Sequence, residues 1–167
     1  MRDRIWTELT QAKHSSEFAS LYADNQRTLI RYFNIFVLTF SGGGVLGWKF
    51  LDTIPLIACG CICIVSLIRH LQPQIIMTDK QILNLDNISK FYINYYNKLE
   101  RLWYDLQHST IDIETAKNLF FNIKDTEAEI NTLVNETIRT KPQKLVDKAK
   151  FYSDQYFLQT FNTKTNG

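Results

Sequence analysis

The chain has 167 residues, 45% of them apolar and 22% charged, which excludes a disordered polymer and leaves room for one domain or a short membrane hairpin plus a helical module. Lys and Arg number 19 against 17 Asp and Glu, and the resulting net charge of +2 is too small to select a nucleic acid or any other acidic partner. The mean hydropathy of −0.20 is that of a soluble chain, but it averages two very different kinds of segment.

The first segment, residues 1–31, carries Ile5, Leu9, Ala12, Phe18, Leu21 and Tyr22 in loose helical spacing among charged residues. It reads as an amphipathic helix, either lying on a membrane or docked on the C-terminal part of the chain.

Charges then disappear. None falls between Arg31 and Lys49, and none between Asp52 and Arg69. A spanning helix needs about 20 apolar residues, with roughly 17 as the lower limit. Both stretches sit at that limit, and Phe50, Leu51 and Leu71 extend them. Aromatic residues at the ends (Tyr32 and Phe33, Trp48 and Phe50) suit the headgroup level, and Arg31, Lys49 and Arg69 can snorkel toward it. The expectation is a transmembrane hairpin over residues 32–71, with spans of about 32–50 and 53–71. A buried hairpin in a soluble bundle is the competing reading. The apolar run begins after a long charged stretch, and no small-residue cleavage pattern clearly follows it, so a secretory signal peptide fits poorly.

Lys49-Phe50-Leu51-Asp52 makes the turn between spans, with Asp52 or Thr53 as cap and Pro55 in the first turn of the second helix. Arg27 and Arg31 precede the first span, and Arg69 and Lys80 follow the second. The excess of basic residues at the outer flanks is expected to place both termini in the cytoplasm.

Ser41-Gly42-Gly43-Gly44 has no Gly-Lys-Ser/Thr sequel and is not a phosphate loop. Gly43 and Gly47 form a small-xxx-small pair that lets a second backbone approach closely; a kink or gate is the alternative use. Cys59, Cys61 and Cys63 alternate, a spacing that suits no metal face on a helix, so they read as small apolar filling. Reduced thiols fit a protein that faces the cytoplasm.

Gln72-Pro73-Gln74 marks a break, and residues 72–167 read as a cytoplasmic helical bundle or coiled coil. Ile88, Tyr92, Tyr95, Leu99, Leu102 and Leu106 follow alternating intervals of four and three, a heptad seam widened by Phe91, Tyr96 and Trp103. The seam is expected to hold a second copy or a partner protein. A turn at His108-Ser109-Thr110 follows, and Asp112 can cap a second helix carrying Leu119, Ile123, Ile130, Leu133 and Ile138. Lys141-Pro142 ends it, and Leu145, Ala149, Tyr152 and Tyr156 mark a third helix. The fold class is all-α.

No catalytic constellation, metal spacing or cofactor motif is present. His14, His70 and His108 are far apart in sequence, and Glu127 and Glu129 read as a solvated face. The aromatic run from Phe91 to Tyr104 lacks interleaved lysines, so core packing is a better reading than base stacking, and no direct nucleic-acid contact is expected. The chain reads as a non-enzyme.

The layout of an amphipathic helix, two spans with a tight turn, and a C-terminal helical domain resembles the SLATT family, two-transmembrane effectors of bacterial conflict and anti-phage systems. Locally, the resemblance is carried by Thr140-Lys141-Pro142 and by Asp147-Lys148-Ala149-Lys150-Phe151-Tyr152. It implies an effector that oligomerises in the inner membrane and permeabilises it, causing death or growth arrest of an infected cell (abortive infection). It also implies a sensor or nucleotide-signalling partner protein, and it offers no catalytic residue to transfer. A membrane anchor that recruits a cytoplasmic partner, and a soluble helical adaptor, are the other functional readings of the same pattern.

Overall fold

The structure, a computed structural model, describes residues 1–47, 63, 66 and 77–161, apart from the side chains of 40–47. All secondary structure among the described residues is helical: α1 (Arg2–Gly47), α2 (Asp79–Gln107), α3 (Ile113–Asp125), α4 (Glu127–Thr137) and α5 (Gln143–Phe161). The chain divides into two compact units, one of Met1–Ala23 and Leu83–Gly167 and the other of Asp24–Ile82.

The first unit is a helical bundle. Ile5, Leu9 and Ala12 recur on one side of α1 and are buried against Tyr95, Tyr96, Leu99, Leu102 and Leu106 of α2 and Ala116 and Phe120 of α3. Of the two expected settings for the N-terminal helix, docking on the C-terminal part is the one observed. This packing also corrects the expectation for the seam. Ile88, Tyr92, Tyr95, Leu99, Leu102 and Leu106 are all 8% exposed or less. The chain's own helices cover the stripe, because an apolar face of that width is buried by the nearest complementary face. It is core and not a surface for a second molecule.

Helix ends follow local chemistry. Gln81 Oε1 accepts from the Thr78 backbone N–H at 2.9 Å and Thr78 Oγ1 accepts from the Gln81 N–H at 3.4 Å, a capping box that starts α2. At its other end Ser109 adopts φ 55°, the Thr110 N–H donates to the Asp105 carbonyl at 2.9 Å, and the Ser109 N–H donates to the Leu106 carbonyl at 3.4 Å. That is a Schellman stop built on a serine in the left-handed region. Asp112 caps α3 by accepting from the Thr115 N–H at 3.4 Å, and the Thr115 side chain first, with its backbone N–H second, lowers the Asp112 carboxyl. The single helix expected from 112 to 141 is two. Thr126 interrupts it, its hydroxyl donating to the Ile123 carbonyl at 2.6 Å, a side-chain bond that competes with the helical ladder. The third expected helix is present as α5, but its buried positions are Ala149 and Ser153, whereas Tyr152 is exposed.

The second unit contains the distal part of α1, Asp24–Gly47. The two compact units divide at Ala23 and Asp24, and α1 runs without a break from Arg2 to Gly47, through the expected boundary at residues 31 and 32. No proline or capping residue falls there, and the Thr39 hydroxyl folds back on the Ile35 carbonyl at 2.8 Å within the ladder. No helix among the described residues is long and apolar enough to cross a membrane. The expected second span, 53–71, and the turn before it lie outside the described residues apart from Cys63 and Ser66, both helical and exposed.

Candidate functional site

In the second unit the distinguishing feature is exposed apolar side chain on α1. Tyr32 is 69% exposed, Ile35 50% and Leu38 75%, and Leu29 and Phe36 are exposed as well. At about 100° per residue these positions cover more than a single stripe of the helix. Apolar side chains exposed in this number on one helix are candidates for contact with a membrane or a partner. Gly43 and Gly47 lie in the last turns of the same helix, one turn apart as expected; what surrounds them is outside the described side chains.

The first unit contains two polar networks at the rim of its core. Glu8 accepts from the Tyr95 hydroxyl at 3.0 Å and from Lys124 Nζ at 2.6 Å, and Glu127 lies 3.9 Å from the same ammonium. Burial, with repulsion from Glu8 second, pushes the Glu127 carboxyl above its usual range, while Lys124 opposes the shift. Glu127 is therefore part of this network, whereas Glu129 is exposed as expected. Burial and the Glu8 carboxylate raise the Tyr95 phenol strongly, so it stays a neutral donor. In the second network Glu100 accepts from Tyr96 at 2.7 Å and Tyr156 at 3.2 Å, and Lys13 lies over the Tyr156 ring at 4.3 Å. Each carboxylate has donors and neither faces a nucleophile, so both tie helices together. Glu8 and Lys124 are 116 positions apart, and no spacing rule links them.

Two depressions accompany these networks. A groove of about 310 Å³ between α2 and α3 is lined by Asn94, Asn97, Lys98 and Arg101 on one side and Leu119 and Ile123 on the other. A cavity of about 240 Å³ lies where α1, α2, α4 and α5 converge, walled by Phe18, Ala19, Ile88, Val134, Ile138 and Val146, with His14 and Lys141 also lining it. His14 is held by its Nε2–H donating to the Val146 carbonyl at 3.4 Å. Among the described residues no three His, Cys, Asp or Glu side chains are grouped to hold a metal ion. Cys63 is a free thiol; Cys59, Cys61 and His70 lie outside the described residues. His108 stacks on Tyr104 with ring centroids 4.8 Å apart, far from any such group.

No protein-family model, curated protein or solved structure matches the chain.

Proposed function

We propose that the chain is an integral protein of the bacterial inner membrane whose apolar segments form two spans with both termini in the cytoplasm, and that it acts as a membrane-permeabilising effector of an anti-phage defence system. The observation that carries this reading is the exposed apolar surface of α1 at Tyr32, Ile35 and Leu38, in a helix that continues into uncharged sequence. Water penalises such a surface at about 25 cal/mol per Å², and a hydrocarbon environment removes that penalty. Glycine within a helix interior costs about 1 kcal/mol relative to alanine in water. Three consecutive glycines inside α1 are better suited to close helix packing in lipid, where Gly43 and Gly47 allow copies to associate. The effector role itself rests on the layout that resembles the SLATT family. With the heptad stripe buried, self-association is assigned to the membrane segments.

The test is expression of the wild type and a Gly43→Leu/Gly47→Leu variant in bacteria, followed by membrane potential and propidium uptake. The wild type depolarises and stains cells; the variant inserts but does neither. A wild type that inserts, accumulates and never permeabilises removes the effector role.

A second reading is an anchor that recruits a cytoplasmic partner. The groove between α2 and α3 favours it, since Lys98, Arg101 and Asp105 stand beside the exposed Leu119 and offer an amphipathic helix both charged and apolar contact. In that case cells expressing the protein alone keep their potential.

A further inference from the structure

Four separate helices contribute walls to the cavity of the first unit, and its interior is apolar: Phe18 and Ala19 from α1, Ile88 from α2, Val134 from α4 and Val146 from α5. The depression, about 240 Å³, is half open to solvent and lies beside a tight core of Ile5, Leu9, Leu85, Ile88 and Leu99, all fully buried, so its largely apolar lining can seat a hydrocarbon chain of modest length.

The charged group in the lining is Lys141, exposed at the mouth; His14, Ser15 and Tyr92 are the other polar residues, and no carboxylate lines the cavity. Lys141 forms no ion pair among the described residues. The His14 Nε2–H faces the Val146 carbonyl, which fixes the ring beside the cavity. An apolar lining with Lys141 at its mouth is complementary to a hydrocarbon chain ending in an anion. Burial first, then Glu127 and Glu8, raise the Tyr92 phenol, and Lys124 pairs with both carboxylates.

We infer that this cavity is a binding site for a medium-chain carboxylate, the chain lying among Phe18, Ala19, Ile88, Val134 and Val146 and the carboxylate meeting Lys141 at the mouth. This site belongs to the first unit alone and does not depend on the membrane reading. Because the site joins α1 to α4 and α5, occupancy stabilises the bundle.

The experiment is calorimetric titration of sodium octanoate into the full chain held in lipid nanodiscs, with empty nanodiscs as the blank and 1-octanol as the uncharged comparator. Octanoate binds saturably and more tightly than octanol. Lys141→Glu weakens octanoate at least tenfold and leaves octanol unchanged. Val146→Trp, at a half-buried wall position, abolishes binding of both, and an unchanged helical circular dichroism spectrum shows that the bundle persists. Absence of saturable heat with the wild type overturns the site. Equal binding of octanoate by the wild type and Lys141→Glu overturns the assignment of an anionic ligand.

Discussion

Lys124 Nζ of α3 lies 2.6 Å from Glu8 Oε2 of α1, and the other Glu8 oxygen receives the Tyr95 hydroxyl of α2. One carboxylate thus joins three helices at the rim of the core. Lys124 is a third exposed, so water screens the pair, and a double-mutant cycle of Glu8→Gln and Lys124→Met should give a coupling of about 1 kcal/mol by chemical denaturation. A coupling indistinguishable from zero would mean that the contact contributes only geometry.

Glu127 carries a stability that depends on pH. Burial and Glu8 raise its carboxyl in the folded chain, so its contribution is fully present below the unfolded carboxylate range and is lost as pH rises through the folded value. Glu127→Gln should therefore stabilise the bundle at neutral pH relative to wild type, and this gain should vanish in acid below the unfolded range. Thermal melts of both proteins across that interval check the sign.

Leu99 is fully buried in the cluster shared by α1, α2 and α3. Leu99→Ala should cost about 2–5 kcal/mol, and Leu99→Asp with Leu102→Asp should abolish the helical bundle outright by burying unpaired charge. Circular dichroism and urea titration distinguish this from loss of a partner, which would leave the fold intact.

Trp6, Trp103 and Phe161 form an aromatic clasp of three helices, with centroids 5.1 to 5.2 Å apart. Trp6→Ala should cost about 2–3 kcal/mol, since the ring is half-buried and its edge contacts add to area burial. Ser109→Gly should act in the opposite direction. It relieves a left-handed residue at the end of α2 and should stabilise by about 0.5–1 kcal/mol.

Periodicity made the all-helical class legible, along with the apolar stripe from Ile88 to Leu106 and the Asp112 cap, because each is written in local spacing. What covers the stripe was not legible. Ile5, Leu9 and Ala12 complete it from the other end of the sequence, and a heptad pattern looks the same whether its complement is another chain or the same one. The break at Thr126 depends on one hydroxyl returning to one carbonyl, within a pattern that otherwise reads as continuous. The cavity between His14 and Lys141 joins positions far apart in sequence, and only folding brings them to one rim.

The proposed membrane role places the distal part of α1 in hydrocarbon. The direct measurement places a spin label at Leu38→Cys, in a full chain whose three native cysteines are replaced by alanine, reconstituted in lipid vesicles. Collision with dissolved oxygen is compared with collision with a water-soluble nickel chelate, and a label at Lys144→Cys serves as the aqueous reference. Strong oxygen and weak nickel relaxation is expected at position 38, and the reverse at position 144. Nickel relaxation at position 38 as strong as at position 144 would contradict it.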